Sequence, residues 1–259
     1  MKRRKFISTS AIAVSAASVG FALPNQKQEI LPKDLYEWRE YELRFKSNPA
    51  DLDKYFQNAL IPGLNRLGVK YVGVFREMGK SEPARIYLLI AYPGMAEYSK
   101  IHSKLKEDKE FINATADYTS VPPDKAIYTR YSSSFLIGFD KMPSIIKPQS
   151  EKRIFEWRNY EGHNEDAVSR KVGMFNKEEI DIFYKSKLKP VFFGEMISGV
   201  NMPSLAYMVV FNDMAEREAV WATFGADPDW KRISQAPEYA NTVSKIIRIF
   251  LEPLPYSQI

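Results

Sequence analysis

The stretches Tyr36–Phe45 and Ile154–Gly162 are rich in aromatic residues and free of internal proline, the pattern of a strand with a buried face. Each is followed by apolar residues at helical spacing: Leu52, Tyr55, Phe56, Ala59 and Leu60 after the first, Val168, Val172 and Phe175 after the second. Two further strands are expected in each half, Val69–Arg76 with Ile86–Tyr92 and Val191–Met196 with Leu205–Phe211. A second helix then begins near each "MAE", and Asp227-Pro228 reads as a helix N-cap with proline at the first helical position. Last strands are expected over Ile127–Ile137 and Ile246–Leu251.

The two halves are one unit written twice. "EWREYE" at Glu37–Glu42 returns as "EWRNYE" at Glu156–Glu161, 119 residues on. The same 119-residue offset relates Met95–Glu97 to Met214–Glu216, and Asp108–Phe111 to Asp227–Trp230. A shared offset across separated patches is an internal duplication. The order β-α-β-β-α-β is the ferredoxin-like unit, which covers one sheet face with helices and leaves the other open. Two such units hide their open faces by packing against each other. The expected fold is therefore α+β, two tandem ferredoxin-like units packed as a pseudo-dimeric α+β barrel. Residues 36–139 form the first unit, the proline-containing stretch 140–152 the linker, and residues 153–259 the second unit.

Charge changes the picture only at the start. The formal net charge is +5, and Lys2, Arg3, Arg4 and Lys5 carry four of those charges. The rest is near neutral, so it lacks the basic footprint that nucleic-acid binding requires. Residues 1–22 read as an export leader: the basic run precedes an Ala- and Ser-rich apolar segment with small residues at Gly20–Ala22. Arg3-Arg4-Lys5-Phe6-Ile7 resembles a twin-arginine signal, which implies a folded protein delivered to the periplasm. An uncleaved anchor in the inner membrane is the alternative, although the segment is short for a permanent span. The chain has no cysteine and two histidines, His102 and His163, so disulfides, thiolate sites and multi-histidine metal sites are excluded within one chain.

"YELRF" (Tyr41–Phe45) and "IPGLNRLGVKYVGVF" (Ile61–Phe75) resemble the NIPSNAP family. The second half is more similar, in "KPVFFGEMISGVNMPSLAYMVVF" (Lys189–Phe211), "AVWATFGADPDW" (Ala219–Trp230) and the closing "PLPYSQI". The resemblance implies two tandem dimeric α+β barrel modules. It also implies kinship with a superfamily that includes cofactor-free monooxygenases, small-molecule isomerases and haem enzymes. It transfers no catalytic residue to a position here, and "YEGHN" (Tyr160–Asn164) departs from "YELRF" in the first unit.

Candidate chemistry is sparse. His102 sits on a helix, but its repeat counterpart is Trp221, which suggests a packing position over a haem ligand. His163 lies just past a strand, either as a loop residue or as a ligand contact. Glu37 with Arg39 and Glu156 with Arg158 alternate on one strand face, as salt bridges or as an anion-binding arginine pair. Glu195 shares a face with Val191 and Phe193. Matching Gly194 to Gly73 places it opposite Val74, so a buried carboxylate facing the space between the sheets is expected, near Tyr207 and Glu161, either in an ion pair with an arginine such as Arg248 or as a general base or hydrogen-bonding group. The candidate ligand-binding set is Glu195, Glu161, Tyr207, His163 and Arg158. The expected function is binding of a small, largely apolar ligand between the two sheets, without metal or cofactor. A metal-free monooxygenase- or isomerase-like enzyme and a protein-interaction module are the alternatives, and a homo-oligomer is compatible with each. Nucleotide and serine-hydrolase motifs (GxGxxG, the P-loop, G-x-S-x-G) are absent.

Overall fold

A computed structural model describes residues 32–79, 81–149, 151 and 153–259. The leader at 1–22 lies outside these residues, and among them no helix is long and apolar enough to cross a membrane.

The first unit runs β1 (Leu35–Leu43), α1 (Pro49–Tyr55), α2 (Ile61–Arg66), β2 (Tyr71–Glu77), β3 (Arg85–Tyr92), α3 (Met95–Leu105), α4 (Lys109–Ala114), α5 (Ala116–Thr119) and β4 (Tyr128–Gly138). The second runs β5 (Ile154–Glu161), α6 (Glu165–Met174), α7 (Ile180–Lys185), β6 (Lys189–Ser198), β7 (Ser204–Phe211), α8 (Met214–Ala226), α9 (Pro228–Ser234) and β8 (Lys245–Pro253). Together the strands close one barrel in the order β1-β3-β2-β8-β5-β7-β6-β4, every pair antiparallel. Each unit contributes four consecutive positions, and the units meet at β2·β8 and β4·β6. The pseudo-dimeric α+β barrel expected from the duplication is the fold.

The duplication extends to details. Asp108 and Asp227 both cap a helix, accepting backbone N–H bonds from the second and third residues on. Both units carry a five-residue π-helical segment, Phe56–Leu60 and Phe175–Glu179, at the same offset.

Each strand has an outer face under helices and an inner face toward the barrel lumen, and side chains alternate between them. The middle of the lumen is filled. Trp38 and Trp157, repeat counterparts, stack with ring centroids 3.9 Å apart and planes 13° apart. Tyr36, Phe75, Tyr87, Phe155, Phe192 and Met208 are buried around them. An apolar ligand expected between the two sheets therefore meets, at this level, the chain's own aromatic side chains. Phe75 and Gly194 are counterparts, as are Gly73 and Phe192, so each unit has one bulky ring and one glycine at these two positions, in opposite order. A Cβ on Gly73 would lie 2.5 Å from the Phe75 ring.

The seams between units are short ladders, each extended by the chain that follows the last strand. After β8, the Leu254 N–H donates to the Val74 carbonyl and the Gln258 N–H to the Val72 carbonyl, with Ile259 buried in the lumen core. After β4, the Phe139 N–H donates to the Phe193 carbonyl and the Ile146 N–H to the Val191 carbonyl. Val74 and Phe193 are counterparts, as are Val72 and Val191. The linker thus does for one seam what residues 254–259 do for the other.

Candidate functional site

The outer face of β1 carries Glu37 and Arg39, two residues apart, beneath α3. Arg39 donates from Nε to Glu37 Oε1 at 2.6 Å and from Nη2 to Oε2 at 2.9 Å, and both residues are buried. Such a pair is costly to desolvate and persists only where further hydrogen bonds satisfy it. Ser133 of β4 donates to Glu37 Oε1 at 2.6 Å, and Tyr92 of β3 donates to Oε2 at 3.0 Å. Burial alone would raise the Glu37 carboxyl. The Arg39 charge and the hydrogen bonds from Arg39, Ser133 and Tyr92 outweigh it and hold the group below the usual carboxylate range.

Residues Tyr98, Ile101, His102 and Leu105 form the sheet-facing stripe of α3. This brings His102 Nε2 within 3.0 Å of the Tyr92 hydroxyl. Tyr92 has one proton, and it is given to Glu37, so Nε2 must be the donor to the phenol oxygen and Nδ1 the basic nitrogen. Nδ1 has no hydrogen-bond partner among the described residues. Burial and the charge of Arg39 lower the His102 pKa, against an opposing pull from Glu37. The result is a neutral, half-buried imidazole at neutral pH, wired through a phenol to an ionised, fixed carboxylate. That arrangement can accept a proton at Nδ1 and stabilise the cation it forms.

The second unit holds the same place differently. Glu156, the counterpart of Glu37, accepts from Arg217 Nε at 2.8 Å, from Trp221 Nε1 at 2.9 Å and from Arg158 Nη1 at 3.1 Å. Phe211 replaces Tyr92, Trp221 replaces His102 and Arg217 replaces Tyr98. None of these replacements can exchange a proton near neutral pH. The carboxylate is therefore locked in the second unit and linked to a titratable relay in the first.

Of the five residues expected to bind a ligand, the structure brings two together. The Arg158 guanidinium lies 4.5 Å from the centroid of Trp221, 5.5 Å from Tyr160 and 5.9 Å from Tyr207, and its Nε has no hydrogen-bond partner. Tyr160 and Tyr207 share a hydrogen bond of 2.8 Å. Glu161 is on the opposite, lumen-facing side of β5, 3.6 Å from Lys245. His163 is exposed beyond the strand end.

Glu195 corrects the expectation. It is exposed on the outer face of β6, beside Ile137 and Leu205, and has no ion-pair partner among the described residues. The glycine-to-glycine match was off register. The constant offset pairs Glu195 with Arg76, an exposed residue of β2, while Val74 corresponds to the buried Phe193.

Beside the relay, Arg39 lies 5.9 Å from the ring of half-exposed Tyr131, which stacks on Tyr41. Tyr41 packs on Tyr128, whose hydroxyl meets that of Tyr118 at 2.7 Å. Pockets of about 180 and 270 Å³ open at Tyr118. A larger one, about 410 Å³, lies where Ile146–Gln149 crosses Lys189, Pro190 and Phe211, away from the relay. Among the described residues no three carboxylates or imidazoles are placed to hold a metal ion.

The fold is that of the dimeric α+β barrel proteins, here as a single chain. A candidate monooxygenase from Lactobacillus acidophilus superposes with a TM-score of 0.56 at 10% identity, covering 85% of this chain and 94% of that one. Another from Fusobacterium nucleatum gives 0.57 at 9% identity, covering 86% and 93%. Residues 155–258 match the NIPSNAP family, a span that is essentially the second unit. A NIPSNAP-like domain protein from Burkholderia xenovorans is similar over 42% of this chain and 90% of its own, at 17% identity and a TM-score of 0.37. Among curated proteins none matches.

Proposed function

We propose that the protein is a metal-free enzyme that abstracts a proton from a small, activated organic substrate, with His102 as the base. One observation carries this reading: the hydrogen-bonded line His102–Tyr92–Glu37–Arg39, present in one unit and replaced by a proton-inert set in the other. The counterpart positions in the second unit keep the carboxylate but none of the groups that could carry a proton to or from it. Proton abstraction is the opening step shared by isomerases and by metal-free oxygenation of phenols and enols, so both remain within the proposal. The likeness to candidate monooxygenases supports the barrel fold beneath it. The tyrosine-lined surface from Tyr131 to Tyr118 offers a largely apolar approach to Arg39, which keeps the small, largely apolar ligand of the sequence reading and moves it from between the sheets to the helix side.

The test is solvent exchange. Small enolisable ketones and phenols in D2O, followed by NMR, should lose carbon-bound protons faster with the protein present. Replacing His102 by Gln should reduce that rate by about 10²–10⁴-fold. Equal rates for the two proteins across the set would rule the reading out. Periplasmic placement belongs to the same proposal and rests on the twin-arginine pattern of the leader; Arg3→Lys with Arg4→Lys should stop export of the folded protein, and normal periplasmic accumulation of that variant would count against it.

A further inference from the structure

Aromatic rings fill the middle of the lumen, and toward the end to which β1 and β5 run its lining turns polar and charged. These strands occupy the first and fifth of eight alternating positions, so they point the same way. Beyond Trp38, the lumen-facing residues of β1 are Glu40 and Glu42; beyond Trp157, those of β5 are Asn159 and Glu161. Register places Tyr87 and Arg85 beside the first pair, and Ala206 and Ser204 beside the second, with Lys245 opposite Glu161. Arg85 Nε lies 2.9 Å from Glu40 Oε1, and the same guanidinium lies 3.8 Å from Glu42 and 4.0 Å from Glu77. Glu77 also accepts from the Tyr87 hydroxyl.

Four carboxylates thus rim one mouth of the barrel, interleaved with Arg85, Lys245 and Arg130, which lies opposite Glu42 on β4, and such a rim alone proves nothing. The floor supplies the second observation. Asn159 is 5% exposed and its Oδ1 has no hydrogen-bond partner; Ser204 is 1% exposed and its Oγ has none. Both stand on the lumen face, Asn159 two residues beyond Trp157 on β5 and Ser204 beside Glu161 on β7. A buried amide oxygen without a donor is costly, so the persistence of the Asn159 oxygen calls for a donating partner, while the Ser204 hydroxyl can either give or take a hydrogen bond there. What is missing is a donor-bearing group that acidic surroundings attract. Among the described residues no three carboxylates or imidazoles are arranged to hold a metal ion, and the group that suits this lining is an organic cation.

We infer that this mouth binds a small primary ammonium compound, its N–H donors shared among Asn159 Oδ1, Glu161 and Glu40. Trp38 and Tyr87, stacked at 5.2 Å, form an aromatic base suited to the alkyl chain. The inference is independent of the proton-abstraction reading, because Glu37 and Arg39 are on the other face of β1.

Titrating the full protein with n-butylammonium, followed by tryptophan emission and amide chemical shifts, tests it. Saturable shifts at Asn159, Ala206 and Trp38 are expected, with n-butanol and tetramethylammonium giving at least tenfold weaker responses. Asn159→Ala and Glu161→Gln should each weaken binding about tenfold or more, whereas Glu195→Gln, on the outer face, should leave it unchanged. Asn159→Asp, which keeps the shape and adds charge, should tighten it and serves if the alanine variant does not fold. No saturable response, or one equal for butanol and butylammonium, would show that only water fills the mouth and overturn the inference.

Discussion

At the scale of single residues, the His102 relay makes a statement about pH. Its folded pKa is depressed by burial and Arg39, so the unfolded chain takes up the proton first as pH falls. The stabilisation from keeping the imidazole neutral is full above the unfolded value near 6.5 and is lost as pH drops toward the folded one. With two histidines in the chain, a nitrogen-detected NMR titration resolves each. His102 should titrate below its unfolded value, and Tyr92→Phe should lower it further by removing the acceptor that holds the imidazolium Nε2–H. Titration of His102 at an ordinary value, insensitive to Tyr92, would mean that the wire is not functional. The sequence made His102 visible as a helix residue but not as a base, because its partners arrive from β3 and β1. Comparison with Trp221 suggests a packing position, and the structure shows that the two residues serve counterpart carboxylates, Trp221 bonding Glu156 directly and His102 reaching Glu37 through a phenol. Glu195 is misplaced for a different reason: alternation puts it on one face with Phe193, but nothing in the strand itself says that this face lies under the helices and that Phe192 and Met196 line the lumen.

Elements were far more legible. Strands, capped helices and the unit order follow from apolar period and cap residues, which are local properties. The helix layer of the second unit nevertheless conceals a difference that the offset alone could have exposed. Leu52 and Leu60 of the first unit become Lys171 and Glu179 in the second, buried and paired at 2.7 Å beneath the sheet-covering helices. Burial drives the Glu179 pKa up, against the opposing charge of Lys171. Lys171 also lies 4.7 Å from the Phe175 ring in the π segment. Removing one partner, as in Lys171→Met, should destabilise by about 3–5 kcal/mol, since a buried charge is left alone. Replacing both by leucine restores the composition of the first unit and should be neutral or stabilising by about 1–4 kcal/mol. Urea unfolding of the three proteins measures this; a double variant no more stable than the single one would show that the first unit's leucine packing does not transfer.

For the whole molecule, the sequence disclosed the duplication but not how the two halves are sealed. The seam contacts need β2 beside β8 and β4 beside β6, and nothing local reveals that pairing. The second unit alone, residues 153–259, would expose Trp157, Phe192 and Met208 on an open sheet face, and leave the outer edges of β6 and β8 without partners. Burying an aromatic side chain is worth about 1.5–3 kcal/mol, so several at once form a strong drive for association. The pseudo-twofold already shows the solution: a second copy supplies β8 where β4 was and β6 where β2 was, with Trp157 meeting Trp157. Light scattering on the isolated unit should therefore give a dimer, and Trp157→Ala should weaken it, because the stacked pair crosses the centre of the interface. A folded, strictly monomeric second unit would mean that the lumen face is stable in water without a partner, and that fusion of the two units serves something other than covering it.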